Sequence, residues 1–148
     1  SEGLKTPCTP QAVIEMLRYY DIEMTGKKVA VLGRSSVIGK PVALLLLNEN
    51  ATVTICHSKT ADLRETVREA DIVISAMGRA KMIDGSYIRE GATLIDVGIN
   101  TDEDGKLCGD ADFESAEKVA GAISPVPGGV GSVTTTILAK NLLSGISE

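Results

Sequence analysis

The chain has 148 residues, enough for one domain that buries on the order of 70% of its unfolded surface, and its 15 basic against 20 acidic residues give a formal net charge of -5, which argues against nucleic acid as a partner. Apolar residues make up 43% but aromatics only 3%, so the core must be aliphatic, the usual filling of a parallel sheet. Three widely spaced cysteines without a Cys-x-x-Cys pair argue for reduced thiols in the cytoplasm, one histidine argues against a metal site, and no apolar run nears the ~20 residues that cross a bilayer.

The chain begins Ser1-Glu2-Gly3, without an initiator methionine and without a basic-plus-apolar leader, which suggests a piece of a longer protein. Thr9-Pro10 can cap and start a helix that places Val13, Leu17 and Tyr20 on one face and ends near Asp21. Thr25-Gly26-Lys27 then turns the chain into an apolar run at 29–32, read as a buried strand. Gly33 turns that strand, and Gly39-Lys40-Pro41 opens a second apolar run of helical length, 40–48. In such a unit the first free N–H groups of the helix face the mouth of the turn, where the helix dipole also favours the phosphates of a nucleotide. The dinucleotide fingerprint wants glycine at its first, third and sixth positions, which here read Gly33, Ser35 and Ile38. Only the first fits, and Gly39 arrives one residue late, so the spacing by itself suits a ligand-free junction equally well.

Asn48-Glu49-Asn50 leads to a second strand at 52–56, followed by a helix at 61–70, strands at 71–75 and 93–97, and a short helix near 85–88. A polar, glycine-bearing excursion at 101–109 precedes a helix from about Asp112, a short strand at 119–123 and a last helix at about 132–143. Strands alternating with helices imply right-handed crossovers and a doubly wound, mostly parallel α/β sheet with helices on both faces. Ligands of such a sheet sit beyond the carboxyl ends of its strands. Those ends read Gly33-Arg34-Ser35, Cys56-His57-Ser58-Lys59-Thr60, Ala76-Met77-Gly78, Gly98-Ile99-Asn100 and Ser124-Pro125-Val126-Pro127-Gly128-Gly129. Turns also need small and polar residues, so composition alone does not decide. The second end is more telling: NAD sites place an acid there for the ribose 2′-hydroxyl, yet no Asp or Glu stands between Ala51 and Ala61. His57, Ser58 and Lys59 instead offer donors and positive charge, and Arg34 adds a fork suited to a 2′-phosphate, which favours NADP over NAD. The alternative is that Lys59 and Arg34 are merely solvated and His57 caps a strand.

Four stretches, Gly33-Arg34-Ser35-Ser36-Val37-Ile38-Gly39-Lys40-Pro41, Cys56-His57-Ser58-Lys59-Thr60, Asp96-Val97-Gly98-Ile99-Asn100 and Pro125-Val126-Pro127-Gly128-Gly129-Val130-Gly131, resemble the cofactor domain of the methylenetetrahydrofolate dehydrogenase/cyclohydrolase family. Pro7-Cys8-Thr9-Pro10 is similar to its domain entry, and the resemblance runs through nearly the whole chain in order. It implies a Rossmann-like NAD(P)-binding domain of a bifunctional enzyme, in which hydride passes from 5,10-methylenetetrahydrofolate to NADP and the methenyl product is hydrolysed to 10-formyltetrahydrofolate. It further implies that Gly33, Arg34, Ser35, His57, Ser58, Ile99 and Thr134 hold the cofactor, with Arg34 and Ser58 at the 2′-phosphate. The loop of Pro127, Gly128, Gly129, Val130 and Gly131 would border the folate and the nicotinamide, and a homodimer is expected. The family's catalytic lysine belongs to a Tyr-x-x-x-Lys motif in an amino-terminal domain, and none of Tyr19, Tyr20 or Tyr87 has lysine at that spacing, so no catalytic residue is assigned within 1–148. Two further departures are Ser132-Val133 in place of the usual Pro-Met and Ala12 where glycine is common. A non-catalytic nucleotide-binding module, or the cofactor half of a reductase with another substrate, stays open as an alternative.

Overall fold

A computed structural model describes residues 8–124. Helix α1, Pro10–Tyr19, starts where the sequence calls for it: Thr9 is extended and its Oγ1 accepts from the Ala12 N–H at 3.1 Å, while Pro10 takes a position whose N–H has no helical partner. Val13, Ile14, Met16 and Leu17 form its buried face, and Tyr20 follows half-buried. Strand β1, Lys28–Leu32, is buried over its last four residues, and α2, Gly39–Asn48, buries Gly39, Val42, Ala43 and Leu46.

Next come β2, Thr52–Cys56, α3, Leu63–Arg68, and β3, Ile72–Ser75. A 3-10 turn, Gly85–Tyr87, leads to β4, Thr93–Asp96. The short strands β5, Asn100–Thr101, and β6, Leu107–Cys108, precede α4, Phe113–Glu117, and β7, Ala122–Ile123. Among the described residues, five strands make one parallel sheet in the order β2-β1-β3-β4-β7. Alternation along β1 divides the core: Val29 and Val31 pack with α1 and α2 on one face, while Ala30 and Leu32 pack with Val67 of α3 on the other. The expected doubly wound α/β sheet is therefore present. Its connections run from β1 outward to β2 and then back past β1 to β3, so the topological switch lies between β1 and β3.

Three boundaries differ from the sequence reading. The excursion at 101–109 contains an antiparallel hairpin, β5 with β6, closed by an Asp102 N–H bond to the Lys106 carbonyl at 2.8 Å and by Gly105 at φ +79°. Two residues per strand are too few to show alternation. The strand expected at 119–123 shrinks to β7, because the N–H groups of Val119 and Ala120 bond the Ala116 carbonyl and complete the turn after α4. The helix expected at 61–70 is the shorter α3. The helix expected at 132–143 lies outside the described residues.

Candidate functional site

At the switch point the ends of three strands enclose an open cleft of about 260 Å³. Gly33, Arg34 and Ser35 line it after β1, His57 and Ser58 after β2, and Ala76, Met77 and Arg79 after β3. Gly33 is held between the two neighbouring strands: its N–H bonds the Cys56 carbonyl at 2.8 Å, and a Cβ on it would lie 2.4 Å from the Ala76 carbonyl oxygen. With φ at +117°, the position is closed to other residues both by conformation and by space. Gly39 does the work assigned to the last glycine of the fingerprint, since its Cβ would lie 2.4 Å from the Gly33 carbonyl oxygen; it lets α2 pack directly on the turn.

One expectation about this turn is corrected. The first N–H groups of α2 are already bonded within the turn: the Ser35 hydroxyl accepts from Ile38 at 3.0 Å and Gly39 at 3.3 Å, the Ser35 carbonyl accepts from Lys40 at 2.9 Å, and Pro41 has no N–H. Among the described residues, no acceptor pairs with the N–H groups of residues 34–37, so the loop rather than the helix carries the open donors.

Arg34 and His57 meet in the cleft, Nη1 to Nε2, at 3.5 Å. His57 Nδ1 accepts from the Lys59 N–H at 3.2 Å, so the neutral ring carries its proton on Nε2 and cannot accept from the guanidinium. Two donors therefore stand side by side, with Ser58 next to them and no carboxylate among the described lining residues. Ion pairs among the described residues join Arg18 to Glu49, Arg89 to Asp71 and Lys81 to Asp102, and none involves Arg34, Lys59 or Arg79. Such a donor set suits an anionic group and fits the phosphates of a dinucleotide. Ile99, after β4, is 59% exposed and lies outside this lining. Pro127, Gly128, Gly129, Val130, Gly131 and Thr134 lie outside the described residues.

Beneath the cleft wall are two buried aspartates. Asp96 hydrogen-bonds under the Gly98 turn: it accepts from the N–H groups of Gly98 at 2.9 Å, Asp110 at 3.1 Å and Ala111 at 2.7 Å. Burial pushes its carboxyl up to about 6, against the pull of these N–H donors. Asp110, which the sequence reading missed, accepts from Ser75 Oγ at 2.8 Å, Asn100 Nδ2 at 3.0 Å, and the N–H groups of Met77 at 2.6 Å, Gly78 at 3.1 Å and Arg79 at 3.0 Å. Its partners lie 10 to 35 residues away, and nothing in its own neighbourhood distinguishes it from a loop aspartate. Arg79 was missed likewise, because it stands just past the strand end that the reading inspected.

Comparison with known proteins gives a consistent result. Residues 7–148 match the family model described as tetrahydrofolate dehydrogenase/cyclohydrolase, NAD(P)-binding domain. The bifunctional protein FolD of Clostridioides difficile is 58% identical over 137 residues, covering 93% of this chain and 48% of that protein. The crystal structure of the bifunctional FolD methylenetetrahydrofolate dehydrogenase/cyclohydrolase from Campylobacter jejuni superposes with a TM-score of 0.82 at 42% identity, over 95% of this chain and 50% of that one. The Trypanosoma brucei FolD, solved with NADP cofactor and inhibitor, gives 0.78 at 47% identity, over 96% of this chain and 50% of that one. The chain thus spans about half the length of the curated relatives it matches.

Proposed function

Because the chain belongs to the tetrahydrofolate dehydrogenase/cyclohydrolase family and matches its NAD(P)-binding domain, we propose that residues 1–148 form a single NADP-binding domain of a bifunctional enzyme of one-carbon folate metabolism. The enzyme oxidises 5,10-methylenetetrahydrofolate, with NADP accepting the hydride, and hydrolyses the methenyl product to 10-formyltetrahydrofolate. In this reading the folate is shared with an amino-terminal domain, and the protein works in the cytoplasm, in keeping with its free cysteines Cys8, Cys56 and Cys108.

The observation that carries the cofactor choice is the pair of adjacent donors, Arg34 and His57, in a cleft whose described lining residues include no acid. Arg34 and Ser58 hold the 2′-phosphate, His57 donates from Nε2, and the open N–H groups of the loop after Gly33 receive the pyrophosphate. Ile99, Thr134 and the Pro127 to Gly131 loop complete the nicotinamide and folate side of the proposal.

Charged hydrogen bonds to the 2′-phosphate contribute roughly 1.5 to 3 kcal/mol each, which corresponds to about tenfold or more in favour of NADP. Titration calorimetry of the 148-residue chain tests this. NADP is expected to bind more tightly than NAD, and Arg34→Ala to remove most of the difference. Equal affinity for the two nucleotides, or an unchanged NADP constant in Arg34→Ala, would rule out the assignment. The proposal includes a homodimer formed through this domain, supported by the uncharged sequence of β2, the outermost strand on its side of the sheet among the described residues.

A further inference from the structure

We propose that Arg79 is a further cofactor-binding cation, positioned by Asp110 to meet the pyrophosphate that NAD and NADP share; this rests on the NAD(P)-binding reading of the cleft. Three successive N–H groups, of Met77, Gly78 and Arg79, converge on the Asp110 carboxylate at 2.6, 3.1 and 3.0 Å. Gly78 at φ +75° bends the backbone so that all three can point inward, forming a nest whose anion is the protein's own aspartate. Ser75 below and Asn100 beside it supply two more donors to the same carboxylate. Gly98 closes the remaining space, since a Cβ there would lie 2.2 Å from Asp110 Oδ1.

The loop after β3 is therefore fixed at its backbone, although the Arg79 side chain is exposed. Arg79 is among the residues that line the cleft, and no acid among the described residues forms an ion pair with it. Its position decides what it meets. Arg34, His57 and Ser58 gather on the β1 and β2 side, whereas Arg79 follows β3, on the far side of the Gly33 turn. A dinucleotide that crosses the switch point carries its pyrophosphate over that turn, between the two groups of donors. A guanidinium approaching from β3 can take phosphate oxygens in a forked pair of hydrogen bonds.

Calorimetry on the 148-residue chain with three probes, NADP, NAD and adenosine 2′-monophosphate, tests the assignment. Arg79→Ala is expected to weaken NADP and NAD by the same factor, about tenfold, and to leave adenosine 2′-monophosphate unchanged. Arg79→Lys should keep part of the affinity. Arg34→Ala should weaken NADP and adenosine 2′-monophosphate but hardly affect NAD. The positioning role of Asp110 is read from a cycle: the loss on Arg79→Ala should shrink in an Asp110→Asn background, whereas additive losses would reduce Asp110 to a structural residue. If Arg79→Ala changes neither dinucleotide while Arg34→Ala weakens NADP, the Arg79 inference is wrong and the cofactor reading stands. A loss confined to NADP would also overturn it, by moving Arg79 to the 2′-phosphate. If the unaltered chain binds neither dinucleotide, the cofactor reading itself fails.

Discussion

Asp96 and Asp110 have no exposed surface, and between them they tie the ends of β3 and β4 to the segment that follows β6. The two differ in what they should contribute as pH changes. Burial raises the Asp96 carboxyl from 3.8 to about 6, with the neighbouring Asp110 adding repulsion and the N–H groups of Ala111, Gly98 and Asp110 opposing both. A carboxyl raised in the folded state stabilises the fold fully below its unfolded value, and that contribution disappears as pH rises through the folded value. The interval corresponds to about 3 kcal/mol, lost between about pH 4 and 6. Asp71, Asp84 and Asp102 have the opposite sign: the Lys28 N–H, the Ser86 hydroxyl and the Lys106 N–H, respectively, are the largest causes holding them below the usual carboxylate range. Their contributions fade only as pH falls below about 4, so the windows separate. Urea unfolding of the 148-residue chain should show stability declining from pH 4 to 6.5, and Asp96→Asn should flatten that decline. A profile already flat in the unaltered chain would show that the three N–H donors outweigh burial. One Asp96 bond is local, from Gly98 two residues on. Asp110 was not legible in the sequence, since its role is created only when distant strand ends meet.

Long elements with a clear period could be read from the sequence because each carries its own signal. In α1 the cap and the apolar stripe agree, and in β1 a continuous apolar run reports burial on both faces. The β5 and β6 hairpin and the α2 donors used by Ser35 depend instead on individual hydrogen bonds, which periodicity does not encode. Strand β2, at the edge of the sheet among the described residues, shows what such an element implies for assembly. Its sequence, Thr-Val-Thr-Ile-Cys, has no charge or proline to discourage pairing, and Ile55 is 41% exposed on the same face as Val31. Leu44 and Leu47 of α2 are also exposed. A strand edge is self-complementary in antiparallel pairing about a two-fold axis, which suits the proposed homodimer. Sedimentation at tens of micromolar (about 10 to 100 µM, chosen to exceed a weak dimer constant) should find a dimer, and Ile55→Lys should shift it towards monomer. A monomer in the unaltered chain would remove this domain as the pairing surface, and a dimer unaffected by Ile55→Lys would place the contact elsewhere.

Seen as a whole, the described part of the molecule gathers donors for a cofactor but offers little for proton transfer. General acid–base catalysis needs a titratable group within hydrogen-bond reach of the reacting atoms. Asp96 has 0% exposure and its oxygens accept three N–H bonds, so it is sealed from any substrate. His57 is committed through Nδ1 to the Lys59 N–H and faces Arg34 with Nε2, on the side assigned to the 2′-phosphate rather than to the nicotinamide. The resemblance places the catalytic lysine in a Tyr-x-x-x-Lys motif of an amino-terminal domain, and the relatives' extra length leaves room for one. Bringing two reactants together lowers a barrier only when both are held, and in the proposed reading the cleft of three strand ends takes the dinucleotide, while the folate needs the amino-terminal domain as its second wall. Residues 1–148 by themselves are therefore expected to bind NADP without turning over methylenetetrahydrofolate, and joining an upstream domain with Tyr-x-x-x-Lys should restore both reactions. NADPH formation, followed at about 340 nm, the reduced-nicotinamide band, compares the two forms directly. Lysine-to-alanine substitution in the restored motif should abolish proton transfer while leaving the calorimetric NADP constant unchanged. Full activity from the 148-residue chain would overturn the division of labour and require a catalytic group within this chain.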